Sequence, residues 1–416
     1  MLIAMVAIMI AAVGIDRAVQ YSGTRKWAKE RRERYEVARA EAAQIQMTIS
    51  ELSQDQRAIE EFIRENQQYF DEMEEQADLP AAQEADSVSE GESFLETVSG
   101  NSDIEGSVSE NALSGNEISD NDISESTISG NAVSGNAISD NDISGNDVLD
   151  NDISGNDVSG MTLLEKRKIR GSYEETIFQS RLDQEIIMGG QIDFSDKKIV
   201  CLGDSITAAT NLEQMEDYQQ YAYPACLKEI LGAKEVVNLG IGGSSIGRYW
   251  ENAFVDRYRD IPEDADMILV MGGTNDGFCV TQEDFGIMEE RKEGTFIGDL
   301  DELMKGLKEN YPDAQIILIT PLPNVLHDML RKERDYLLPQ SMIANAMKQI
   351  GKEYEVPVID LYNSNILDSH DAAVIFNYMP DGVHCNPEGY ELLARHIAAE
   401  VISLYEMQEG NFEEEL

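Results

Sequence analysis

Five short apolar runs mark the second half of the chain, at 198–202, 235–239, 267–271, 315–320 and 356–361. None alternates strictly with polar residues, so each reads as a strand buried on both faces. Helical patterns lie between them at 225–231, 297–311 and 339–354, and another follows at 391–404. Continuous strands alternating with helices predict an α/β fold, a three-layer sandwich around a five-stranded parallel sheet. In such sheets ligands bind beyond the carboxyl ends of the strands. The first three runs end in Gly203-Asp204-Ser205, in the glycines 240, 242 and 243, and in Gly272-Gly273-Thr274-Asn275-Asp276. Polar and glycine-rich text therefore stands where chemistry is expected.

The first half is patterned differently. Residues 1–15 are apolar without a break until Asp16 and Arg17. Continued through Ala18 and Val19, the run approaches the about 20 residues of a membrane span. It lacks the basic start and small-residue cleavage site of a secretory signal, so 1–20 is predicted to be an uncleaved transmembrane anchor. From Tyr35 to Met73, positions at alternating steps of three and four are apolar or aromatic except Gln56 and Asn66, with no Gly or Pro between. That pattern predicts a coiled-coil helix over 25–78 and, through it, a homo-oligomer. The alternative is a single amphipathic helix packed on the globular part. From Val108 to Val158 an aliphatic falls at every fifth position among Ser, Asn, Asp and Gly. One aliphatic in five fills no core by itself, so 79–160 reads as a flexible repeat spacer; a stacked β-solenoid competes.

Charge sharpens this map. The 416-residue chain carries 80 acidic and 32 basic side chains, net −48, which excludes a nucleic-acid binder of the usual basic kind. Residues 81–160 hold 18 acidic groups and no basic one, whereas 1–34 are net +4. The basic residues from Arg25 to Arg34 would keep the remainder in the cytoplasm by the positive-inside rule. A stalk-like acidic spacer argues the other way. The expectation adopted is a membrane-anchored protein with an extracytoplasmic catalytic domain. Four cysteines, none in a C-x-x-C pair, exclude a disulfide-dense miniprotein and a standard zinc finger.

Four motifs carry candidate chemistry. In Gly203-Asp204-Ser205-Ile206-Thr207, Ser205 stands in the turn between the first strand and the first helix, a place for a nucleophile if a base is in reach. Gly-Asp-Ser is also an ordinary turn and helix cap. The glycines of 238–245 let the backbone approach a ligand and aim an N–H at it. Asn275, at the end of the third strand, offers a side-chain amide to a developing oxyanion, or else caps a helix. In Asp381-Gly382-Val383-His384 the carboxylate three residues upstream can fold back onto one imidazole nitrogen and fix its tautomer. His327, His370 and His396 have no such companion and read as plain polar residues. No third ligand with metal-site spacing accompanies Asp381 and His384.

Taken in this order, the four motifs resemble those of the GDSL esterases, also called SGNH hydrolases. The chain offers Ser205, Gly243, Asn275 and His384 for the four block residues of that name, and the Tyr223-Pro224 step also fits. The first block reads Gly-Asp-Ser-Ile rather than Gly-Asp-Ser-Leu. The resemblance spans about 196–406 and implies a flavodoxin-like sheet, a Ser205/His384/Asp381 triad, and an oxyanion hole from the N–H groups of Ser205 and Gly243 and the Asn275 amide. It implies no cofactor and no metal.

The sequence therefore divides into an anchor (1–20), a coiled-coil helix (25–78), a repeat spacer (79–160), a connecting segment (161–195), an SGNH hydrolase domain (196–408) and an acidic tail (409–416). The expected function is hydrolysis of O-acyl esters of carbohydrate or lipid through an acyl-enzyme. An O-acyltransferase using the same site, or a surface glycan-binding protein without catalysis, is the alternative. The expected partners are the ester substrate, the membrane and a second copy of the chain, with no nucleic acid.

Overall fold

The computed structural model describes residues 29–77, 170–249 and 252–414, with side chains over 29–70, 170–249 and 252–407. The five apolar runs form β1 (Lys198–Gly203), β2 (Glu235–Gly240), β3 (Met267–Met271), β4 (Gln315–Ile319) and β5 (Val358–Ile359). All pairs are parallel and the order is β2-β1-β3-β4-β5. The order reverses at β1, so the crevice between the ends of β1 and β3 is the place a ligand enters such a sheet.

The helices used below are α1 (29–52), α2 (Gln56–Ala77), α3 (Tyr173–Gly189), the one-turn α4 (Ser205–Ala208), α5 (Tyr223–Leu231), α6 (Phe296–Asn310), α7 (Val325–Glu333), α8 (Gln340–Glu353), α9 (Ala372–Asn377) and α10 (Pro387–Glu414). Alternate residues of a strand face opposite ways, and the two faces build two cores. Ile199 and Cys201 of β1 share one with Leu227 of α5 and Ile397 of α10. Val200 and Leu202 share the other with Leu303 of α6 and Met347 of α8. Helix ends follow local rules. Pro224 sits in the first turn of α5, and Gly232 ends it at φ +62°, the left-handed value glycine adopts without cost. Asn386 caps α10 by accepting the Gly389 N–H at 2.9 Å.

Helix α3 belongs to the packed unit although it offers no apolar stripe. Its buried residues are Thr176, Ser180 and Asp183. Thr176 Oγ1 accepts the Leu367 N–H at 2.9 Å, and the Asp183 carboxylate meets His396 Nδ1 at 3.1 Å.

The N-terminal expectations need correction. The heptad stretch is two helices, α1 and α2, broken at 53–55. Its seam is spent on the chain's own globular unit. Tyr35 joins the core that holds Val200 and Leu303, and Ala42 joins the other. Ile49, Ile59, Ile63 and Phe70 close around Val325 of α7 and Ile375 of α9. Polar contacts reinforce the docking. Arg31 and Arg34 reach the fully buried Asp284 at 3.4 and 3.1 Å, and Lys332 Nζ donates to Asn66 Oδ1 at 2.8 Å. A stripe buried this way is not available to a partner helix, so the basis for a coiled-coil homo-oligomer is gone. The membrane-anchored placement is corrected as well: among the described residues no helix is long and apolar enough to cross a membrane. The run 1–20 and the spacer 79–160 lie outside the described residues. All four cysteines are free thiols, Cys201, Cys279 and Cys385 buried and Cys226 half-buried.

Candidate active site

The site forms where β1, β2 and β3 end. Asp204 follows β1 and caps α4, its Oδ1 accepting the Ile206 N–H at 2.9 Å. That cap starts the helix at Ser205 and leaves the serine half-buried at the mouth of the crevice. Close packing explains the glycine before it. A Cβ at Gly203 would lie 1.8 Å from Thr207 Oγ1, so no side chain fits between the strand end and α4.

After β2, a turn closes with the Ser244 N–H donating to Ile241 O at 3.1 Å. Gly243 occupies its third position at φ +73°, the conformation a type II turn requires there. Asn238 holds the base of this loop, donating through Nδ2 to Thr207 O and accepting the Gly240 N–H, both at 2.8 Å. Arg257 straps the strand ends together. Its Nη1 donates to Leu239 O at 2.6 Å, and its Nη2 to Gly203 O at 2.5 Å and Ser244 Oγ at 3.1 Å. Burial pulls this guanidinium down to about 10, against the nearby charge of Asp204. Asp276, fully buried, accepts the N–H groups of Ile246 and Gly247 at 2.9 and 3.0 Å. Burial pushes its carboxyl up to about 7 despite those donors.

Asn275 lies at the end of β3, half-buried, its Nδ2 donating to Ser244 O at 3.0 Å and more distantly to Asp204 Oδ2 at 3.4 Å. Among the described residues, neither the Ser205 nor the Gly243 backbone N–H has a hydrogen-bond partner. The Asn275 amide thus links Asp204, the neighbour of Ser205, to Ser244, the neighbour of Gly243.

The fourth motif arrives from the loop before α10. Asp381 Oδ1 accepts the backbone N–H of Val383 at 2.9 Å and of His384 at 2.7 Å, an Asx turn that curls the loop onto itself. Gly382, at φ +79°, makes the curl possible. The turn brings Asp381 Oδ2 to 2.8 Å from His384 Nδ1, and His384 Nε2 to 2.8 Å from Ser205 Oγ. Ser205, His384 and Asp381 therefore lie in one hydrogen-bonded line, and the imidazole and carboxylate side chains are only 13% and 15% exposed. Burial alone would lower the histidine, but the charge and hydrogen bond of Asp381, with the charge of Asp204, hold it above its ordinary value. Burial likewise opposes ionisation of Asp381, yet the imidazole and the two backbone N–H groups hold that carboxyl below the usual range. Asp204 goes the other way, pushed up to about 6 by burial against the Ile206 N–H and His384.

The remaining histidines serve structure. Burial pulls His327 down to about 4, and its Nε2 faces Leu338 O at 2.8 Å. His396 meets Asp183. His370 lies between Asp368 and Asp328, at 2.7 and 3.0 Å. Among the described residues no group of three or more His, Cys, Asp or Glu is gathered to hold a metal ion.

Sequence reasoning missed the supporting parts. Arg257 lies outside the four motifs, and Asp204 and Asp276 stand within them but reveal their burial only in the fold. Gln46 of α1 also lies outside them; its Nε2 donates to Asp381 Oδ2 at 2.8 Å and lies 3.0 Å from His384 Nδ1. A cavity of about 960 Å³ opens between α1 and the loop after β2, lined by Arg31, Tyr35, Arg39, Gly243, Arg248 and Asn252 among others.

This sheet, with the serine, glycine, asparagine and histidine motifs at its carboxyl edge, is the α/β fold of the SGNH hydrolases. Residues 201–392 match the GDSL-like lipase/acylhydrolase family and form a domain of that family. No curated protein matches the chain. Among solved structures it is similar to a Lactobacillus plantarum protein at 30% identity, covering 51% of this chain and 99% of that one, TM-score 0.45. It is also similar to a lipase/acylhydrolase from Enterococcus faecalis at 21% identity, covering 50% and 96%, TM-score 0.34. A third is Est24, a carbohydrate acetylesterase from Sinorhizobium meliloti, at 15% identity, covering 50% and 100%, TM-score 0.37.

Proposed function

We propose that the chain is a serine ester hydrolase that cleaves O-acyl esters of carbohydrate or lipid, O-acetyl groups among them, through a covalent acyl-enzyme. The observation that carries this reading is the line from Ser205 Oγ through His384 to Asp381, with 2.8 Å at each step. His384 Nδ1–H donates to Asp381, so Nε2 is the free base and accepts the Ser205 proton. The alkoxide-like oxygen attacks the ester carbonyl. The tetrahedral oxyanion is met by the N–H groups of Ser205 and Gly243 and by Asn275 Nδ2, which exchanges its long contact to Asp204 for the new charge. His384 then gives its proton to the departing alcohol. Water enters, loses a proton to the same nitrogen, and releases the acid. These residues complete the cycle without a metal or organic cofactor.

The test is turnover of p-nitrophenyl esters from acetate to long acyl chains by the full chain and its Ser205→Ala variant. Turnover that vanishes in the variant supports the reading, and the profile along the series gives the acyl preference. Equal rates in both proteins would sink it and leave a glycan-binding role. Transfer of the acyl group to an added sugar in preference to water would identify an acyltransferase using the same residues.

A further inference from the structure

We propose that Gln46, carried on α1 outside the family-matched region, is a positioning residue of the active site that sets the basicity of the His384–Asp381 pair. The proposal rests on the triad reading above.

One face of α1 runs along the site. A Cβ at Gly243 would meet the Arg39 guanidinium at 3.1 Å, and one at Gly382 would meet the Ile49 side chain at 3.2 Å. Gln46 lies between, seven residues after Arg39 and three before Ile49, spacings that share a helix face. At about 1.5 Å rise per residue, the helix spans from the proposed oxyanion loop to the histidine loop. It is one wall of the crevice.

Its amide is committed by chemistry. His384 Nδ1–H must point at Asp381 for Nε2 to serve as base, so Nδ1 has no lone pair to offer Gln46. The Gln46 hydrogen therefore goes to Asp381 Oδ2, and the 3.0 Å approach to Nδ1 sets one positive dipole end beside another. Turning the amide over would press Oε1 against the carboxylate oxygen, which fixes the orientation. The carboxylate thus receives four N–H donors: Val383, His384 backbone, His384 ring and Gln46. The charged groups facing the imidazole are Asp381 from its own loop and Asp204 from the start of α4; Gln46 is what α1 presents. A donor that shares the carboxylate and crowds Nδ1 disfavours the imidazolium, so it keeps the base neutral to lower pH than the carboxylates alone would allow.

The experiment uses the full chain with Gln46→Met, which keeps length and helix propensity but removes the donor, and Gln46→Glu, which adds a third carboxylate. Two readouts are taken: the acid limb of kcat/KM on p-nitrophenyl acetate, and the titration of the His384 ring proton by NMR, assigned by its loss in His384→Asn. The expected result is an upward shift of roughly half to one pH unit in Gln46→Met and a larger one in Gln46→Glu. Gln44→Met, on an exposed position of the same helix, leaves both readouts unchanged. Should either Gln46 variant fail to fold, Gln46→Asn withdraws the amide while keeping a polar side chain. A His384 titration that stays within about 0.2 units of wild type in a folded variant overturns the proposal. The NMR readout needs no turnover, so an esterase reading that fails on Ser205→Ala is told apart from a Gln46 role that fails.

Discussion

Replacing Asp381 with asparagine tests the proposed triad most sharply, because the structure fixes how the new amide must lie. Oδ1 accepts two backbone N–H groups, at 2.9 and 2.7 Å, that cannot turn away. The asparagine oxygen is therefore held there, and its NH₂ takes the place of Oδ2. At that point it confronts two donors, His384 Nδ1–H and Gln46 Nε2, each 2.8 Å away. Gln46 can rotate and offer its oxygen. The imidazole escapes the clash by moving its proton from Nδ1 to Nε2, and it then donates to Ser205 rather than accepting from it. The base is lost while the fold is kept, since both backbone bonds and the Gly382 turn survive. The lost tautomer and the lost carboxylate charge together are expected to lower kcat/KM by about 10⁴-fold. At about 1.4 kcal/mol per factor of ten that is about 5.5 kcal/mol of transition-state stabilisation. The assay is p-nitrophenyl acetate hydrolysis across pH by wild type, Asp381→Asn and Asp204→Asn, with thermal melts alongside. A folded Asp381→Asn enzyme within tenfold of wild type would refute the reasoning. If Asp204→Asn were instead the crippled variant, the carboxylate that supports His384 would be the buried cap of α4.

Other outcomes follow from the same contacts. The proposed mechanism needs His384 neutral, and its folded-state value is held above the ordinary 6.5, so kcat/KM should rise with pH through an apparent pKa above that figure; a plateau already reached at pH 6 would contradict it. Ile49 is fully buried and touches the loop at Gly382, so Ile49→Ala should cost about 2–5 kcal/mol in chemical denaturation and also lower kcat/KM, whereas a purely remote packing residue would move only the first. His370 is pushed up to about 9, because the carboxylates of Asp368 and Asp328 outweigh burial. A folded value above the unfolded one gives stability that is full below about pH 6.5 and lost as pH rises through about 9. Denaturation midpoints at pH 6 and 9.5 should therefore converge in His370→Asn and differ in wild type; equal pH slopes in the two proteins would count against it.

The parts of this molecule legible in its sequence are those where local pattern decides the outcome. A strand buried on both faces must be apolar throughout, so the runs at 198–202 and 267–271 declared β1 and β3. The Asp381–His384 pair is three residues apart and made by its own turn. Elsewhere the pattern was right about the element and silent about its partner. The stripe from Tyr35 to Phe70 says that one face of a helix will be covered. It cannot distinguish a second helix from the flank of a sheet domain, because both ask only for apolar side chains at helical spacing. Helix α3 shows the converse, a face of Thr176, Ser180 and Asp183 that is buried because polar partners wait on Leu367 and His396. Gln46 combines both difficulties. Read along the chain it is one more polar residue on a charged helix, next to the apolar seam at Ile45 and Ile49. Packing of that seam carries it to the histidine, so burial of the neighbours at 42, 45 and 49 determines where the amide points. A change that repacks the seam should therefore reach the chemistry, although none of its apolar residues bears a group that could react.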